Sequence, residues 1–191
     1  MSEFVPNLVT SDLLALPQVD LVVDACKSLP FEDGGLRAIA MVNVFHHLPD
    51  CQAFLSEAQR CLAVGGSLTL IEPWVTNWSS FVYRHLHHEP FDSAATDWSF
   101  ATTGPLSGAN QALPWIVFSR DRTRFERDFP TLRLERVELL MPIRYILSGG
   151  VSFRAFVPFW SYRFWLELER SFRKQMPQLA MFAHILLKKD D

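Results

Sequence analysis

Two short runs hold most of the residues whose types and spacing could do chemistry. One is His46-His47; the other is HLHHEPFD at 85–92. An imidazole titrates near neutrality, so His46 could act as a catalytic base. In the second run His85, His88 and Glu89 fall at i, i+3 and i+4, and share one face if the segment is helical. Imidazole and carboxylate together can hold zinc or another divalent ion. The spacing matches no standard metal signature, so no metal ligand is assigned. The same run could instead supply a substrate pocket, with His88 as an acid or base. Glu72 closes an apolar run and could orient a substrate at a pocket mouth.

Those residues need elements to place them. Asn7 to Ser11, ending at Asp12, reads as a short strand, and Asp20 to Asp24 (DLVVD) as a second. Leu36 to Val44 reads as a third. Asp50 to Leu62 carries Phe54, Leu55, Ala58, Cys61 and Leu62 at helical spacing, and Pro49-Asp50 is a suitable start. Gly65-Gly66 is expected to stop that helix, with the next strand at Ser67 to Ile71. Apolar strands alternating with a helix predict a parallel sheet buried on both faces. Further on, Ser119 to Phe129 and Val157 to Phe172 read as helices. Leu132 to Met141 and Leu179 to Leu187 read as strands. The whole of 1–191 is expected to be one domain. Segments 74–116 and 142–176 are expected to be inserts or lids, because long connections are usually functional. The aromatic run at 153–165 reads as core or lid, with a dimer interface or an apolar-substrate site as sharper alternatives.

Composition narrows the classes. The 191 residues suffice for one domain with a real core. A net charge of −3 argues against nucleic acid or an anionic membrane as partner. Acidic residues interrupt the arginines after Arg120, as on a solvated helix face. Three cysteines without a C-x-x-C pair give no zinc-ribbon or thioredoxin-like motif. They read as small core residues in a reducing cytoplasm. No apolar run reaches the ~18 residues a spanning helix needs.

Three blocks carry a family likeness. DACKSLPFEDGGL at 24–36 resembles D-A-x-x-L-P-F-x-D-x-S-F. NVFHHLPD at 43–50 resembles x-V-L-H-H-L-P-D. LSEAQRCLAVGGSLTLIEP at 55–73 resembles L-x-E-x-x-R-V-L-K-P-G-G-x-L-x-I-x-E-P. In this order and spacing they are similar to the type 11 methyltransferase-like domain of class I S-adenosylmethionine-dependent methyltransferases. The resemblance implies an α/β Rossmann-like fold: a mostly parallel sheet, helices on both faces and an antiparallel C-terminal strand. It implies S-adenosylmethionine as cofactor and methyl transfer to a small-molecule acceptor. By resemblance, Asp12 would accept from the ribose hydroxyls, and Asp24 with Ala25 would take the adenine edge. Leu29 and Phe31 would pack near the ring. Asn43, Val44 and His46 would line the pocket near the sulfonium. Such positions are strand ends, where open α/β sheets bind ligands.

The chain departs from the pattern at its start. A Rossmann-like fold places a glycine-rich turn after its first strand, with the ribose acid roughly 20 residues later. MSEFVPNLVTS precedes Asp12 and contains no glycine. The first strand and helix of the family are therefore expected to be missing, as in an N-terminally truncated domain. The strands ending at Asp12 and near Val44 should then pair directly, or a homodimer should complete the sheet. A catalytically inactive binding or scaffold subunit, and a metal-dependent hydrolase-like activity at 85–92, are the alternative functions.

Overall fold

A computed structural model describes residues 5–104, 107–149 and 154–191. Strands β1 (Ser11–Asp12) and β2 (Leu21–Val22) form a two-stranded parallel sheet of their own. A four-stranded sheet has the order β3-β4-β6-β5, from β3 (Leu36–Val42), β4 (Leu62–Pro73), β5 (Leu132–Leu140) and β6 (Phe182–Lys189). β3 and β4 run parallel, while β6 is antiparallel to both β4 and β5. Three of the four strands, β3, β4 and β5, thus point the same way. The expected antiparallel C-terminal strand is present.

Direct pairing of the strand at Asp12 with the one near Val44 does not occur. β3 is an edge strand of its sheet, and β1 pairs with β2. In consequence Val22 and Val42 stay 61% and 59% exposed, although their strands read as apolar.

Helix α1 (Cys51–Cys61) links β3 to β4. The Asp50 carboxylate caps it by accepting from the Ala53 amide at 3.0 Å. Its buried face is Cys51, Phe54, Leu55, Ala58 and Cys61; Phe54, Leu55, Ala58 and Cys61 match the spacing read from the sequence, while Leu62 already opens β4. Of the cysteines, Cys51 and Cys61 are fully buried and Cys26 is half-buried against the same core.

The glycine pair does something other than stop the helix. α1 ends at Cys61, and β4 begins at once and runs through Gly65-Gly66. The register with β3 shifts there, from Leu36↔Leu62 to Ala38↔Ser67. Gly65 has φ of 78°, and a Cβ on Gly66 would sit 2.7 Å from the Ala63 carbonyl oxygen. The pair is a strand bulge that only glycine tolerates. Beyond it, Leu68, Leu70 and Glu72 alternate onto the same fully buried face.

The segment expected to be a lid from 74 is packed into the core. Helix α2 (Asn77–Leu86) opens with a Thr76–Ser79 capping box. Trp74, Tyr83 and Trp98 are all buried. A helical turn, α3 (Leu113–Trp115), continues into a π-helical turn (Ile116–Arg120) and then α4 (Arg122–Asp128). Short helices α5 (Arg144–Leu147), α6 (Tyr162–Ser171) and α7 (Met176–Leu179) fill the way to β6. In the aromatic run, part of which lies outside the described residues, Phe159, Trp160 and Phe164 are 91%, 83% and 63% exposed, so these rings are surface and not core. No helix among the described residues is long and apolar enough to cross a membrane.

Candidate functional site

The site grows from the end of β3. Asn43 has φ of 55°, in the left-handed region that asparagine tolerates better than most residues. That turn leads into a 3-10 segment, Phe45–His47. The backbone amides of Val44, Phe45 and His46 then point at one carboxylate, Glu72 of β4, at 2.8, 2.9 and 3.4 Å. Such a nest of N–H groups stabilises an anion. His46 Nδ1 completes the set at 2.6 Å from Glu72 Oε2.

Glu72 is fully buried, with both oxygens engaged. The expectation that it orients substrate at a pocket mouth is therefore corrected. It faces the protein and can act only through His46 and the β3 turn.

The other nitrogen of His46 faces Glu89, with Nε2 3.5 Å from Oε2. His47 approaches the same carboxylate, Nε2 to Oε1 at 3.7 Å, while its Nδ1 lies 3.2 Å from the Gly108 carbonyl oxygen. Gln111 donates from Nε2 to Glu89 at 2.8 Å, and its Nε2 lies 2.9 Å from His87 Nδ1. His87 Nε2 meets the Tyr145 hydroxyl at 2.9 Å. These groups surround a pocket of about 250 Å³ lined by Asn43, His46, His47, His87, Glu89 and Gln111, with Pro73, Tyr145 and Phe182.

The charges follow from that arrangement. Burial by itself would lower the His46 pKa. Its hydrogen bonds to Glu72 and Glu89 outweigh burial and raise it to about 9. The hydrogen bond from His46 holds Glu89 down to about 2. His87, by contrast, is pushed below its ordinary value by burial, and so is neutral near pH 7.

A stability profile follows. The His46 proton contributes stability in full below its ordinary value of 6.5, and that contribution is lost as pH rises through about 9. Glu89 contributes above its ordinary 4.5, and that part is lost as pH falls towards about 2. Urea denaturation should therefore show a plateau between roughly pH 5 and 6.5, with the midpoint falling on both sides. His46→Gln should flatten the alkaline limb; an unchanged alkaline limb in that variant would reject the assignment.

The residues singled out in the sequence fare unequally. His85, His88 and Glu89 do not share a helix face: α2 ends at Leu86 and His87 is extended. Pro90 disfavours helical backbone at the residue before it. His85 instead bonds the Phe81 carbonyl through Nδ1, and the His88 side chain is 61% exposed. The triad that does come together is His46, His47 and Glu89. Asp12 and Asp24 stand at the ends of β1 and β2, where each accepts a turn amide, from Leu14 and Cys26 respectively. Asp24 also meets Lys27 at 3.2 Å. Leu29 is buried, its amide on Glu57. Ala25 and Cys26 pack against the main core, and the Cys26 thiol faces the Asp50 backbone. Thus the turn after β2 meets the start of α1. His87, Gln111 and Tyr145 were missed. His87 lay unremarked within the histidine run, whereas nothing local marks Gln111 or Tyr145.

Strand ends carrying acids, a β3–α1–β4 unit and a polar pocket beyond β3 define a Rossmann-like α/β fold. Residues 3–70 match the family described as Methyltransferase domain. No curated protein matches it. Among solved structures, it is similar to geranyl diphosphate C-methyltransferase from Streptomyces coelicolor A3(2), crystallised with Mg2+, geranyl diphosphate and S-adenosyl-L-homocysteine. That likeness has 16% identity and a TM-score of 0.48, over 88% of this chain and 52% of that one. It is also similar to a candidate methyltransferase from Bacillus halodurans C-125, at 18% identity and a TM-score of 0.45, over 98% and 82% of the two chains. The chain spans about half the length of the Streptomyces protein.

Proposed function

We infer that the protein transfers a methyl group from S-adenosylmethionine to a small-molecule acceptor. The observation that carries this reading is the convergence at the head of α1: the Cys26 thiol after β2 faces the Asp50 backbone, and Ala25 and Cys26 pack against the core cluster that holds Phe45 of the turn after β3, within the segment that matches the methyltransferase domain. The residues present fit the adenosine part of the cofactor. Asp12 and Asp24 are acids at the ends of two parallel strands, with partly open side chains. They would take the ribose hydroxyls and, with Ala25, the adenine edge, and Leu29 would pack beneath.

When bound, the cofactor supplies an electrophilic methyl group on a sulfonium. Asn43, Val44 and His46 would line that side of the pocket. His46, fixed through Nδ1 by Glu72, presents Nε2 to the pocket as a cation rather than a base. The neutral His87, beside Tyr145, is the better acceptor for a proton leaving a hydroxyl or amine nucleophile. Most of the acceleration would come from positioning and exclusion of water. The edge of β3, unpaired among the described residues, and the exposed valines of β2 and β3 favour a homodimer that completes the sheet.

Calorimetric titration with S-adenosylhomocysteine, at protein concentrations that span any dimer, tests both parts. Binding near micromolar, about −8 kcal/mol, is expected, with Asp24→Asn weakening it at least tenfold. Absence of binding at every concentration would reject the methyltransferase reading and favour a binding or scaffold subunit.

A further inference from the structure

We propose that His46, His47 and Glu89 form a binding site for one divalent transition-metal ion of the zinc type. The three side chains offer ligand atoms that all lie within 4.8 Å of one another. Two of the pairs are already near the spacing of a small coordination shell: His46 Nε2 to Glu89 Oε2 at 3.5 Å and His47 Nε2 to Glu89 Oε1 at 3.7 Å. With metal–ligand distances of about 2.0–2.2 Å, a tetrahedral shell separates its ligands by roughly 3.3–3.5 Å, so an inward shift of a few tenths of an ångström serves for one histidine with its nearer Glu89 oxygen, and a turn of the carboxylate brings that oxygen to the other histidine.

The outer contacts point the same way. A metal-bound histidine usually donates its second N–H to a carboxylate or a backbone carbonyl, which fixes the ring and the tautomer. Both histidines have such a partner. His46 Nδ1 is held by Glu72 at 2.6 Å and His47 Nδ1 by the Gly108 carbonyl at 3.2 Å. Both Nε2 atoms are thereby aimed at Glu89. The Glu89 carboxylate is steadied in turn by Gln111 Nε2. Gln111 is 2% exposed and lines the same pocket, yet its Oε1 is buried with no hydrogen-bond partner among the described residues. A buried amide oxygen left unsatisfied costs free energy; a water on the metal's open position could satisfy it.

The donor set selects the ion. Two imidazoles and one carboxylate suit zinc, cobalt or nickel better than magnesium or calcium, which prefer all-oxygen shells. Three protein ligands beside a pocket leave the fourth position open to solvent or to a ligand oxygen. Binding displaces the proton on His46 Nε2, so metal uptake releases acid. This site does not depend on methyl transfer, and its test reads metal alone.

The experiment uses the full chain, stripped with a chelator and desalted. Zinc chloride is titrated by calorimetry, bound metal is counted by mass spectrometry, and cobalt chloride is added separately for its visible spectrum. One ion per chain is expected, with the intense visible absorption of four-coordinate cobalt. His47→Ala and Glu89→Gln should each weaken zinc binding by about 100-fold or more, beyond the 10–100-fold that loss of an outer partner costs. His85→Asn, on the exposed face of α2, should bind as wild type. Circular dichroism confirms that each variant is folded. Failure of the wild-type chain to retain metal, or equal binding by folded Glu89→Gln, overturns the site. The cobalt spectrum of the wild-type chain decides without any variant: octahedral, pale cobalt also overturns it.

Discussion

Glu72→Ala is expected to cost about 3–5 kcal/mol of folding stability, the range for breaking a buried ion pair by removing one partner. Glu72 is completely buried and receives the Val44, Phe45 and His46 amides as well as His46 Nδ1. Its removal leaves those donors without an acceptor and His46 with Glu89 as its remaining counter-charge. A domain of this kind has about 5–15 kcal/mol in total, so the loss should appear as a large drop in the urea midpoint at pH 7. Glu72→Gln gives the finer reading. Its amide oxygen can still accept from the backbone, and neutral His46 can accept from its NH2 by changing tautomer. The cost should fall to about 1–2 kcal/mol, and the loss of stability between pH 6.5 and 9 should largely vanish. An alanine variant within ~1 kcal/mol of wild type would mean that the nest is relaxed in solution.

Trp98→Ala is expected to cost a further large amount, about 3–5 kcal/mol. The indole is 1% exposed and belongs to the main core. Its Nε1 donates to Asp121 at 2.9 Å, and the Arg124 guanidinium lies 4.3 Å over the ring. The Cys51 thiol meets its carbonyl at 3.3 Å, which ties the segment to the start of α1. Trp98→Phe keeps most of the volume and loses the N–H, so about 1–2 kcal/mol is expected. Chemical denaturation distinguishes the two. A small effect of alanine would show that residues 74–116 behave as a detachable lid after all, as their length first suggested.

What the sequence determined by itself is local. The Asp50 cap, the apolar face of α1, and the strands at β3, β4 and β5 follow from neighbours within a few positions, because backbone propensity and periodicity act over that range. The sequence singles out Glu72 as an acid closing an apolar run and reads it at a pocket mouth, but the structure sets it on the buried face shared with Leu68 and Leu70, where it needs partners. The glycine pair was misread because a helix stop and a strand bulge use the same residue for the same conformational freedom. The helix face assumed for His85, His88 and Glu89 failed because Pro90 disfavours helical backbone just before it. Only the tertiary structure decided the rest. Glu89 lies more than forty positions beyond His46 and Gln111 more than twenty beyond Glu89, and no periodicity relates them. They meet because β3, its following turn and the packed segment after α2 converge on one pocket, and burial there forces each polar atom to find a partner.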